Sequence, residues 1–137
     1  MIREEKKAER FSLVKRAKGF THAGRGIWIF LRTTHNAWIH LVVLACAVGM
    51  GLYFNISYVD WMMLTFAGGM VLAAEAFNTA IEIDIDLTSP EYHPYARDTK
   101  DVAAGAVLIS ALTAGLIGIG IFGRYILEIL SPFFFQF

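Results

Sequence analysis

The chain has 137 residues, 56% of them apolar, a mean hydropathy of +0.52 and a formal net charge of zero. That length suits one domain, and the apolar share is high for a soluble globular protein. Zero net charge offers no case for a nucleic-acid partner, and a single cysteine, Cys46, excludes an internal disulfide.

Residues 1–9 are charged and read as a frayed end. From about residue 10 to residue 31 the residues Leu13, Ala17, Phe20, Gly24, Ile27 and Leu31 recur every three or four positions, the stripe of an amphipathic helix. Lys15, Arg16, Lys18 and Arg25 lie off or beside that stripe. A basic amphipathic helix next to an apolar span is expected to lie in the membrane interface, here weakened by Gly19, Gly24 and Gly26. Gly24-Arg25-Gly26 lacks the preceding strand that a nucleotide-binding glycine loop would need.

Three uncharged runs follow, at 37–59, 61–74 and 102–123. The first and third can each cross about 30 Å of hydrocarbon. The middle one is too short unless it continues through Ile81, which draws Glu75 into the span. The expected architecture is an all-α membrane protein of one domain, 1–137: a surface helix at about 10–31 and spans at 37–54, 61–86 and 101–123. Three helices bury little against one another, so an oligomer is expected. Of the twelve Lys and Arg residues, nine precede the first span, and the link between spans two and three adds Arg97 and Lys100. By the positive-inside rule the amino terminus and that link are cytoplasmic, and Arg124 lies outside.

Val43-Leu44-Ala45-Cys46 resembles a lipoprotein cleavage site, but the charged stretch before it is too long and the apolar run continues past it. Cys46 is expected to pack as a small apolar residue. Trp28, Trp38 and His40 suit one headgroup layer and Tyr53, Tyr58 and Trp61 the other. Gly68-Gly69 and Ala73-Ala74 give span two a slim side for close helix packing. Ala103-Ala104-Gly105-Ala106 with Gly115, Gly118 and Gly120 does the same for span three.

The stretch around Glu75 carries the chemistry. An ionisable group at the centre of a membrane helix costs roughly 2.5–3.5 kcal/mol and is a functional-site hypothesis by default. On a helix, Glu75, Glu82 and Asp86 fall within about 20° of one line, with Asn78 about 60° to one side and Asp84 opposite. Glu75 and Glu82 are about 10.5 Å apart along the axis. One stripe thus carries a carboxylate deep in the membrane and others nearer water. For Asp84 and Asp86 the ordinary alternative is a helix end emerging among solvated acids. Ser89-Pro90-Glu91-Tyr92-His93-Pro94 reads as a turn. Lys100-Asp101 is expected to open span three, where an acid matches the positive helix end. The aromatic tail from Pro132 reads as interfacial.

Glu75-x-x-Asn78-Thr79-Ala80-Ile81-Glu82-x-x-x-Asp86, with Glu91-Tyr92-His93 and Lys100-Asp101-x-Ala103-Ala104, resembles the small bacterial diacylglycerol kinase and undecaprenol kinase family. The likeness covers roughly residues 10–125. Phe20-Thr21-His22-Ala23-Gly24-Arg25-Gly26-Ile27-Trp28 and His93-Pro94 are more similar to the undecaprenol kinase branch. The resemblance implies a homotrimer in the bacterial cytoplasmic membrane, with active sites between protomers at the cytoplasmic interface, transferring the γ-phosphate of Mg-ATP to a lipid hydroxyl. By position it makes Glu75 the general base and Glu82 a magnesium ligand. It places Lys15, Lys18, Asn78, Glu82, Asp86, Glu91, Tyr92, His93, Lys100 and Asp101 at the ATP site. One departure stands out. The family's second metal-binding glutamate, in a Thr-Glu-Arg-Asn-like motif, is replaced by Thr34 in Thr33-Thr34-His35-Asn36, and a neutral hydroxyl is a poorer magnesium ligand. His35 is no substitute, since magnesium prefers oxygen.

Two rivals remain at this level. An ion-coupled transporter would use Glu75 as its carrier carboxylate, but has no need of Glu91, Tyr92, His93, Lys100 and Asp101. A catalytically silent relative is motivated by Thr34.

Overall fold

The computed structural model describes residues 13–134, with side chains from 16 to 131. The frayed end, the side chain of Lys15 and the aromatic tail from Pro132 fall outside those side chains. All four described elements are helices: α1 Leu13–Thr33, α2 His35–Phe54, α3 Tyr58–Thr88 and α4 Pro94–Phe134. Three of them, α2, α3 and α4, are long and apolar enough to cross a membrane.

Each break between helices has a local cause. Between α1 and α2 only Thr34 leaves the helix, with extended backbone. The Trp38 indole N–H reaches back across the break to the Leu31 carbonyl at 2.9 Å. At the end of α2, Asn55 adopts the left-handed conformation and closes the helix onto the carbonyls of Gly51 and Leu52. Ser57 and Asp60 then form a reciprocal capping box at the start of α3.

The start of α4 differs from expectation. Pro94 is its first residue rather than part of the turn, since proline's fixed φ and missing N–H suit a helix start. The first free amide, that of Tyr95, donates to His93 Nδ1 at 3.2 Å. Asp101 therefore does not open the helix; it lies well inside it and pairs with Arg97 at 3.9 Å. Both α3 and α4 run beyond the spans read from the uncharged runs, because helix continues through charged residues once it has left the apolar layer.

Helix α3 is the centre of the molecule. A third of its most apolar stretch (33%) is buried, against 6% for α4 and 11% for α2. Leu64, Ile56, Ile121 and Phe122 form a core near the α2–α3 turn, with Phe54 and Trp61 packed against it. Close approach there depends on Gly51, where a Cβ would stand 2.8 Å from the Trp61 ring. Gly68 meets Leu44 in the same way, whereas Gly69 and the α4 glycines meet no side chain of the chain's described residues. Cys46 is exposed and lines an apolar groove between α2, α3 and α4 rather than packing in the core. Asp60 lies buried beside this core and is held by Ser57, Arg124 and Tyr125. The opposite end of the α3–α4 pair is polar.

Candidate active site

At that polar end the α3 stripe lines a recess of about 330 Å³ with Glu75, Asn78, Thr79, Glu82, Ile83 and Asp86. Residues spaced by three and four along a helix share one face. The stripe expected from the spacing therefore faces a single cavity. The other wall is the α1–α2 break, with Thr33, Thr34, His35 and Asn36. The position where the resemblance expects a second acid thus lines the same recess as Glu82, and Thr34 occupies it.

Glu75 is the deepest group, 1% exposed, and its Oε1 has no hydrogen-bond partner among the described residues. One turn on, Asn78 is buried; its Nδ2 donates to Glu82 Oε1 at 3.1 Å, and its Oδ1 has no partner among the described residues. A buried acceptor left unsatisfied costs about 1–3 kcal/mol, more when charged. Both residues line one recess, and each carries a buried acceptor that a donor or a cation would satisfy. Thr79 donates its hydroxyl to the Glu75 carbonyl at 2.9 Å. Its oxygen lies 2.7 Å from the Thr34 hydroxyl. Thr79 has one proton and it is already committed, so Thr34 is the donor of that pair. Thr34 thus ties the α1–α2 break to α3 and leaves its own helix without a side-chain cap.

A second recess, about 230 Å³, opens where α3 turns into α4. Asp86, Glu91, Tyr92, His93 and Lys100 line it, together with Arg97. Lys100 Nζ meets Asp86 Oδ1 at 2.5 Å. Asp86 borders both recesses and joins them. It is a paired group as well as an exposed one, while Asp84 is exposed on the far side of α3, as its spacing predicts. Among the described residues no three His, Cys, Asp or Glu side chains converge as a closed metal cage.

The structure thus gathers Glu75, Asn78, Glu82 and Asp86 in one recess, and Asp86, Glu91, Tyr92, His93 and Lys100 in the next. Asp101 lines neither, being turned toward Arg97, and Lys18 is exposed on α1 outside both. Sequence reasoning passed over Thr79 as a lining residue, although it stands four residues after Glu75 on the same stripe. It also passed over the Asp60–Arg124 pair at the other end, which joins residues 64 positions apart and has no local signal.

Residues 21–122 match the family described as prokaryotic diacylglycerol kinase. Undecaprenol kinase of Bacillus subtilis is 40% identical over 119 residues, covering 86% of this chain and 96% of its own. Diacylglycerol kinase of Helicobacter pylori is 30% identical over 127 residues, 87% of this chain and 95% of its own. Diacylglycerol kinase of Escherichia coli is 29% identical over 108 residues, with 76% and 84% covered.

Proposed function

Because the chain belongs to the prokaryotic diacylglycerol kinase family, we propose that it transfers the γ-phosphate of ATP to the hydroxyl of a lipid alcohol in the bilayer, with undecaprenol preferred to diacylglycerol. The observation that carries this reading is the buried Glu75 carboxylate, whose Oε1 is unpartnered in the same recess as Glu82. The lipid preference rests on the higher identity to an undecaprenol kinase.

Phosphoryl transfer needs positioning, neutralised phosphate charge and an oriented nucleophile more than covalent help from the protein. Glu75, deepest on α3, receives the proton of a lipid hydroxyl that arrives from the acyl side. Asn78 holds Glu82 in orientation through its amide. The donor set fits magnesium: this ion takes one or two protein carboxylates and completes its shell with water and phosphate oxygens. Glu82 would hold it, oriented by Asn78. Magnesium there would supply charge neutralisation on the phosphates. Lys100 supplies a point charge for phosphate from the second recess, and Glu91, Tyr92 and His93 form the wall against which the nucleotide lies. Asp86 sets Lys100 in place.

The chain sits in a bacterial cytoplasmic membrane with its amino terminus and the α3–α4 link on the cytoplasmic side, as the distribution of Lys and Arg supports. It works as a homotrimer. The exposed small residues of α4 and the low burial of α2 and α4 within one chain support this.

The test is transfer of labelled γ-phosphate from ATP into a panel of lipid alcohols by the purified protein in mixed micelles. Wild type is expected to label undecaprenol fastest, and chelating magnesium to stop the reaction. Glu75→Gln is expected to lower turnover by about 10²–10⁴-fold, the usual range for general-base removal. Undiminished turnover in Glu75→Gln overturns its role.

A specific observation favours a second reading. Thr34, which lines the recess with Glu82, carries a hydroxyl already engaged with Thr79, so the chain could be a silent relative. Inactive wild type with active Thr34→Glu would decide for it.

A further inference from the structure

Helix α1 has the composition of a surface-bound element and almost no cover from the other described residues. Every side chain from 16 to 29 is exposed, including Phe20 (81%), Ile27 (61%) and Trp28 (64%). The helix holds five basic residues and no acidic one. Three glycines lie in its interior, each costing about 1 kcal/mol relative to alanine, and most helical stability in proteins comes from packing an amphipathic face rather than from propensity. A helix this exposed and this rich in glycine needs an outside surface to hold it.

The pattern on α1 identifies that surface. Lys18, Arg25 and Arg32 are spaced by seven, so they form one row that drifts by only about 20° per step. All three are exposed. The apolar stripe through Phe20, Ile27 and Leu31 lies about 140° away from this row around the helix. When such a stripe sinks into the acyl boundary, a row of long cationic side chains on the outer side of the helix stays within about a Debye length of the lipid phosphates, close enough to feel a charged leaflet. We propose that the Lys18, Arg25 and Arg32 row makes α1 a clamp for anionic lipid headgroups, so that the helix docks on a negatively charged leaflet more firmly than on a neutral one. The row faces neither of the two recesses of the candidate site, and its ligand is a component of the leaflet rather than the substrate.

The test uses the full chain in nanodiscs of zwitterionic lipid, with or without about 30% phosphatidylglycerol, and measures amide hydrogen exchange across 13–33. Each cation near a charged leaflet contributes roughly a fivefold preference. Protection of α1 is therefore expected to be at least tenfold higher in the anionic discs. It is expected to fall to the zwitterionic level in about 0.5 M salt, where screening extends only a few ångströms. Arg25→Gln/Arg32→Gln should remove most of the difference while exchange in α3 stays unchanged, which separates loss of docking from loss of fold. The salt response of the wild type tests the clamp without any variant. Equal protection in both discs overturns the proposal, and points to docking by the apolar stripe or a second copy. Inorganic phosphate at 10 mM restoring protection in zwitterionic discs also overturns it, since the row would then be a general anion site. Neither outcome bears on the kinase reading, which is read separately from labelled ATP.

Discussion

At position 34 a single hydroxyl separates this chain from the carboxylate pair that the family pattern leads one to expect. Thr34 lies against Thr79 and lines the same recess as Glu82, so Thr34→Glu puts a second carboxylate into that recess. The magnesium concentration for half-maximal rate is then expected to fall on the order of tenfold, as ligand charge count sets affinity for hard cations. A magnesium titration of both proteins checks this; an unchanged midpoint would show that position 34 does not reach the ion. The stripe from Glu75 to Asp86 was legible from spacing alone because a helix turns a fixed angle per residue. The partners of that stripe were not. Which residues stand opposite Glu82 depends on where α1 stops, and the break at Thr34 is one extended residue that periodicity does not mark. The turn of Asp101 toward Arg97 was equally hidden, because it follows from α4 beginning at Pro94.

Helices α2 and α3 meet where Gly51 faces Trp61 and Gly68 faces Leu44, and the two glycines are expected to respond differently to a methyl group. In Gly51→Ala the new carbon meets the end of an indole ring packed into the core, which has little room to yield. A net loss of about 1–2 kcal/mol is expected after the gain in helix propensity. In Gly68→Ala it meets the tip of a leucine that can change rotamer, so the effect is expected to be within about 0.5 kcal/mol of zero. Thermal denaturation in detergent gives both values, and equal losses would contradict the packing described here. Sequence pattern marked Gly68-Gly69 as a slim side without telling which glycine faces a neighbour. The distinction comes from a packing angle, and only Gly68 points at α2.

For the molecule as a whole, the α3–α4 pair is fastened at both ends, by Asp60 with Arg124 and by Asp86 with Lys100. Arg124→Leu leaves the nearly buried Asp60 carboxylate without its cation, and a lower melting temperature in detergent is expected; an unchanged midpoint would mean that Ser57 and Tyr125 suffice. The sequence made the first and third spans plain because uncharged runs of that length have few other uses, while the second had to be extended past Glu75 to reach across. How far the helices extend past the bilayer was not plain, since charged residues end a hydropathy signal without ending a helix. Forty-one residues make α4 about 60 Å long, twice the hydrocarbon thickness. Lys100 therefore stands on a stiff mast and not on a loop. One residue inserted between Lys100 and the apolar stretch would swing it about 100° around the axis, away from Asp86. Inserting a whole turn would restore its facing while lifting it roughly 5 Å, so nucleotide affinity should recover in step with helical phase, not with the amount of chain added.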